Sequence, residues 1–199
     1  MKEKTRKLVE CAGMVALATV LSLVKIYEAP LGGAVTLFSM TPIMIIGFIY
    51  GIGWGSSCAF VYSVIQLLLG LKTIGYVPTA GGVVLCILLD YILAFTLLGV
   101  TGLFKIRDDM SAKRKITMGI IGTLTACVLR YASHWLSGAV IWYEITKAGG
   151  WNDYVSKVGM WTYTTVYNAQ YMVPETIMAV IAVPAMVTVI SVVKKQLKR

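Results

Sequence analysis

The sequence carries too little charge to cover a soluble surface. Of its 199 residues, 14% are Asp, Glu, Lys or Arg, where a soluble domain holds about a quarter. Apolar residues make up 58% and the mean hydropathy is +0.78. The few charges sit in short segments between long uncharged apolar runs, the pattern of a helical membrane protein. Those runs are continuous and do not alternate with period two, which argues against a β-barrel. No G-x-x-x-x-G-K-[S/T] occurs, so ATP cannot be held in the P-loop manner. No H-E-x-x-H, C-x-x-C or paired-carboxylate arrangement occurs either, and no catalytic residue, metal ligand or resident cofactor is expected. The four cysteines, Cys11, Cys58, Cys86 and Cys127, each lie inside an apolar run and read as small buried residues.

What is present is basic. The net charge of +9 would suit nucleic acid, but the Lys and Arg residues flank apolar runs, where they act as topology signals and contacts for lipid headgroups. No nucleic-acid partner is expected. The opening MKEKTRK is followed by an apolar stretch without a small-x-small cleavage site, and it reads as the start of a first membrane helix.

The expected architecture is all-α: a single membrane domain over 1–199 with six transmembrane helices at about 8–26, 35–53, 55–71, 80–104, 115–143 and 162–193. A span needs about 20 helical residues. The last two are longer, and tilt or a kink at Pro174 or Pro184 would absorb the surplus. Gly51-Ile52-Gly53-Trp54-Gly55 reads as a tight turn between spans two and three. With the N-terminus inside, thirteen of the eighteen Lys and Arg residues face the cytoplasm, including Lys2, Lys198 and Arg199. Lys25, Lys72, Lys147 and Lys157 lie outside and Arg130 lies within a span. Both termini are therefore expected in the cytoplasm. The outer segments 27–36, 70–81 and 144–161 are rich in Gly, Tyr, Trp and Thr. The last, YEITKAGGWNDYVSKVGMW, reads equally as an interfacial aromatic belt or as a lid over a pocket.

Ionisable groups inside a membrane are costly and mark functional sites. Asp90, in LCILLDYILAF, reads either as a structural partner of Arg130 or as the counter-charge for a cationic ligand. Arg130, Ser133, His134 and Ser137 fall at i, i+3, i+4 and i+7, one helix face that must point inward. Trp142 follows His134 by eight residues, about 12 Å along the same helix. The sixth span opens with WTYTTVYNAQYMVPET, too rich in hydrogen-bonding side chains to face lipid. Tyr163 is one of these, Asn168 can both donate and accept as the edge of a heterocycle requires, and Glu175 is a second candidate buried acid or a partner for a neighbouring helix. Ala12, Gly13 and Ala16 form a small-residue face on the first span, for internal packing or for a partner helix.

Together these segments resemble the S components of energy-coupling factor (ECF) transporters, the thiamine-specific family in particular. The resemblance covers nearly the whole chain. RYASHWLSGAVIW is similar to the family's fifth helix, with His134 and Trp142 eight apart. YTTVYNAQYMVPE is similar to its sixth, where a binding tyrosine precedes an asparagine by five, here Tyr163 and Asn168. LLDYILAFTLLGVTGLF is similar to its fourth and places Asp90 where the family has a binding glutamate. Tyr76 matches a tyrosine of the third loop. Ala12 and Ala16 match the A-x-x-x-A that contacts the coupling subunit.

The resemblance implies that the chain captures thiamine from outside with high affinity, is not an enzyme, and works with a coupling module of one membrane subunit and two ATPases. Hydrolysis of ATP would topple the S component and release ligand inside. It implies a multi-pass protein of a prokaryotic plasma membrane. Two departures concern the ligand: Asp90 is one methylene shorter than the family's glutamate, and APLGGAVTLF lacks a stacking tryptophan. The alternatives are the same fold binding a thiamine precursor or another small vitamin, and an intramembrane enzyme using Asp90, Arg130 and His134.

Overall fold

The computed structural model of the chain describes residues 3–197, so Lys2, Lys198 and Arg199 of the charge count lie outside the described residues. Helices dominate. α1 spans Glu3–Leu23, α2 Thr41–Tyr50 and α3 Ile52–Leu69. α4 runs over Ala80–Phe104 and α5 over Ala112–Gly149. A short α6, Asp153–Lys157, leads into α7, Met160–Ile181, and α8, Val183–Leu197. One element departs from the all-α expectation. Strands β1, Lys25–Glu28, and β2, Ala34–Thr36, form an antiparallel hairpin across one end of the bundle.

Three helices among the described residues are long and apolar enough to cross a membrane: α3, α4 and α5. The pair α7 and α8 adds a fourth if counted as one span bent by 49°. The bend falls just before Pro184. Proline lacks the N–H that would continue the ladder, and its ring disfavours helical geometry in the residue before it. Pro174 lies inside α7 without breaking it.

Two boundaries differ from the sequence expectation. Residues 35–40, assigned to the second span, form the end of β2 and a turn, which leaves α2 only 10 residues. α5 continues past residue 143 to Gly149 and is 38 residues long, roughly 57 Å at 1.5 Å per residue. The apolar run in the first case, and the aromatic loop composition in the second, mask where hydrogen bonding switches. Local capping sets some ends: Ser111 Oγ accepts from the Arg114 N–H at 3.3 Å, and Thr79 Oγ1 from the Gly82 N–H at 3.1 Å.

The core is built where α4 crosses α2, α3 and α5, around Phe48, Met44, Tyr62 and Leu98. There the backbones nearly touch. A Cβ on Gly99 would lie 2.4 Å from the Ser56 nitrogen, and one on Gly102 would lie 2.3 Å from the Gly51 carbonyl carbon. Gly51, at φ 87°, supplies the left-handed residue that separates α2 from α3. Of the stretch read as a turn, only Gly51 breaks the helix; residues 52–55 already belong to α3, where Gly55 packs against Gly47 and Gly99 and a Cβ on Gly53 would meet nothing. All four cysteines are buried and free.

Candidate ligand-binding site

Beneath the hairpin lies a cavity of about 330 Å³, within the range of small-molecule sites. The ends of α1 and α3, the hairpin, the middle of α4 and α5, and the N-terminal half of α7 line it. Asp90, His134, Trp142, Tyr163 and Asn168 all face this one space. These five, drawn from three helices, are the positions singled out in the sequence. Tyr76 is not among the lining residues. It is 43% exposed and packs edge-on against Trp151 at 5.3 Å between ring centroids.

Asp90 is the hub. Its Oδ1 lies 3.0 Å from His134 Nδ1. Its Oδ2 accepts from Ser137 Oγ at 2.6 Å, from Trp142 Nε1 at 2.8 Å and, weakly, from Cys86 Sγ at 3.5 Å. Two local features allow this. α4 widens to π-helical geometry over Ile87–Leu93, and α5 does so over Gly138–Trp142. Such bulges swing side chains away from regular register and recur at functional sites. The Trp142 side chain leans back toward the N-terminal turns of its helix, as long side chains in helices do, and so reaches Asp90.

The polar face of α5 points inward as its spacing predicts, with Arg130, Ser133, His134 and Ser137 all buried. Of the two readings of Asp90, the structural pair with Arg130 is not formed. Arg130 pairs instead with Glu175 on α7, at 3.6 Å, and its guanidinium stacks over the Phe95 ring at 4.4 Å. Arg130 and His134 lie one turn apart on α5. That offset hands the first to Glu175 and the second to Asp90.

Aromatic rings form the remaining walls. Tyr163 and Tyr167 stack at 5.7 Å, and Tyr171 stands edge-on to His134 at 5.8 Å. The Asn168 amide is oriented from within its own helix: Nδ2 donates to the Thr164 carbonyl at 2.8 Å and Oδ1 accepts from the Tyr171 hydroxyl at 2.5 Å. One donor and one lone pair of that amide stay available. His134 Nε2 and the Tyr62 hydroxyl are buried with no hydrogen-bond partner among the described residues, and both residues line the cavity. Buried polar atoms are seldom left unpaired without reason, and these two offer contacts to a ligand.

The first loop contributes more than its sequence suggested. The Tyr167 hydroxyl accepts from the Leu31 N–H at 3.1 Å and donates to the Gly32 carbonyl at 3.0 Å. Gly33, at φ 84°, lies so close to Tyr171 that a Cβ there would meet the ring at 2.5 Å. Tyr163, Tyr167, Tyr171 and Glu175 recur every four residues. That spacing was the overlooked signal that one face of α7 serves both cavity and hairpin. The aromatic segment after α5 covers the same end, with Val155 buried and Tyr154 beside Tyr163 at 6.4 Å.

Chemically, the cavity offers a carboxylate ringed by donors, several π faces and a few unmet polar atoms. It suits a small, cationic, heteroaromatic molecule.

The comparisons agree in family and fold. A family model described as thiamine transporter protein (Thia_YuaJ) matches residues 8–195. The thiamine transporter ThiT of Bacillus subtilis (strain 168) is 31% identical over 182 residues, covering 88% of this chain and 86% of that protein. A solved structure of ThiT from Listeria monocytogenes superposes with a TM-score of 0.74 at 20% identity, covering 94% of this chain and 96% of the other. With 188 consecutive positions inside one family model and a bundle that superposes on a solved member, the chain belongs to the thiamine transporter protein family.

Proposed function

We propose that this chain is the substrate-capturing subunit of an ATP-driven ECF transporter, binding thiamine with high affinity from outside the cell in the cavity under the hairpin. One observation carries the reading: the partly buried Asp90 carboxylate, held by His134, Ser137 and Trp142 amid aromatic rings, in a member of the thiamine transporter family. The thiazolium carries a fixed positive charge that Asp90 offsets in a partly dry site. A ring stacked on it adds about 0.5–2 kcal/mol of cation–π attraction. Asn168 and Tyr163 hydrogen-bond the aminopyrimidine edge, and His134 Nε2 meets a further polar atom of the ligand. Tyr76 contributes from the rim, beside Trp151.

In this reading the six spans are α1, α2, α3, α4, α5 and the bent pair α7–α8, in a prokaryotic plasma membrane. Both termini are cytoplasmic, because Lys4, Arg6, Lys7, Lys105, Arg107, Lys113, Arg114, Lys115, Lys194 and Lys195 lie in the segments at the end opposite the hairpin. The subunit does no covalent chemistry. Two ATPases and a membrane coupling subunit supply the energy.

The test is a titration of the purified full chain. Submicromolar thiamine should quench tryptophan fluorescence through Trp142, and Asn168→Ala should weaken binding by about tenfold, the cost of one or two buried hydrogen bonds. Tight binding of another vitamin with none of thiamine would replace the ligand and keep the fold. Turnover of a ligand by the isolated chain would refute a purely capturing role.

Docking has its own test. Ala12 and Ala16 are exposed on α1 while Cys11, Val15 and Ala18 face the core. Next to them lies an apolar recess of about 290 Å³ lined by Gly13, Met14, Leu17, Ile45 and Ile49. Small side chains allow close helix approach. Ala12→Trp or Ala16→Trp should abolish thiamine uptake by cells and leave binding by the purified protein unchanged. Surviving uptake would remove this face from the docking surface.

A further inference from the structure

The hairpin is fastened to the bundle along one face of α7. Tyr167 grips its tip through Leu31 and Gly32, and Tyr171 lies under Gly33. The third attachment is Glu175, one helical turn further on, which does not line the cavity. Its Oε1 accepts from the Thr36 N–H at 2.5 Å and from Thr36 Oγ1 at 2.7 Å. Thr36 Oγ1 also lies 2.6 Å from Ser39 Oγ. Glu175 Oε2 faces Arg130 Nη1 on α5. Glu175 is 2% exposed and Arg130 6%.

A carboxylate so deeply buried is costly unless paired and hydrogen-bonded. All the polar contacts it makes run to the last residue of β2 and to the arginine beneath the cavity. Hydrogen bonds to an ionised carboxylate are stronger than neutral ones, and those from Thr36 end on the strand that forms a wall of the cavity.

We propose that Glu175 is a positioning residue, a latch that clamps the C-terminal strand of the hairpin onto α7 and α5 and so holds the cavity closed over its ligand. Arg130 fixes the carboxylate, and Glu175 acts on the ligand only through Thr36. The effect on ligand kinetics rests on the cavity being the thiamine site. The clamp itself does not.

Hydrogen–deuterium exchange of the ligand-free full chain tests the clamp directly. Glu175→Gln should speed exchange across residues 25–36 by about tenfold, the change expected when a charge-assisted anchor becomes a neutral one, while α5 keeps its protection. Thiamine dissociation should rise by a similar factor with association not slowed, a split that general damage to the pocket would not produce. Thr36→Val keeps the Arg130–Glu175 pair and the Thr36 N–H bond to Glu175 but removes the Oγ1 bonds to Glu175 and Ser39, and it should act in the same direction by about threefold. It decides the matter if Glu175→Gln fails to fold. Unaltered hairpin exchange in either folded variant overturns the latch. If the wild-type chain binds no thiamine but Glu175→Gln loosens the hairpin, the ligand assignment fails and the latch stands.

Discussion

Replacing Asp90 with Asn is expected to weaken thiamine binding by about a hundredfold or more. Two effects act together. A cation about 4 Å from a carboxylate gains about 4 kcal/mol at an effective dielectric of 20, and each 1.4 kcal/mol is tenfold in affinity. The second effect lies in the donor set. His134, Ser137 and Trp142 all direct hydrogen atoms or ring nitrogens at the two Asp90 oxygens. An Asn presents an NH2 where one of those oxygens stood. In place of Oδ2 it leaves the Ser137 and Trp142 donors without an acceptor, a cost of about 1–3 kcal/mol, and in place of Oδ1 it is satisfied only by the His134 tautomer whose Nδ1 accepts. Asp90→Glu, which keeps the charge and is the family's residue by resemblance, should retain binding within about tenfold. Isothermal titration of the three proteins with thiamine measures the difference. Binding by Asp90→Asn within threefold of wild type would remove charge from the recognition of this ligand.

The second large effect concerns the bundle itself. Gly99→Val should lower the melting temperature of the purified protein by about 10 °C or prevent its accumulation. A Cβ at residue 99 would stand 2.4 Å from Ser56 N and 2.5 Å from Ser56 Cα. These are backbone atoms of α3, which cannot rotate out of the way as a side chain can. Overpacking costs about 1–3 kcal/mol even where side chains can adjust, and for a chain of this size each kcal/mol is worth about 2–4 °C. Gly53 is the control. No atom lies within 4 Å of its built Cβ, so Gly53→Ala should leave the melt within about 2 °C, as for a surface change. Scanning fluorimetry in one detergent compares them. Equal melts for Gly99→Val and wild type would mean that the α3–α4 crossing is not set by this contact.

Glycine spacing shows where sequence reading stops. Gly47, Gly51 and Gly55 fall four apart across the junction of α2 and α3, and Gly99 and Gly102 lie nearly fifty residues on. Nothing local says that the two sets meet. The same holds for charge. That Asp90, Arg130, His134 and Glu175 turn inward was legible, because ionisable groups in apolar runs must do so. Which acid takes which base was not. The Asp90–His134 and Arg130–Glu175 pairing depends on how three helices are rotated against one another.

The hairpin was illegible for another reason. APLGGAVTLF has the glycines of a turn, yet β1 is only four residues and β2 three. Strands so short carry no periodicity of their own and are held by what they touch, here Tyr167, Tyr171 and Glu175.

By itself, then, the sequence determined the membrane class, the polar face of α5, and five of six named residues that line one cavity. Each of these follows from hydropathy and helical spacing, which are local. Only the tertiary structure decided the charge partners, the close crossing of α3 and α4, and the clamp on the hairpin, because each depends on distances between segments far apart in the chain.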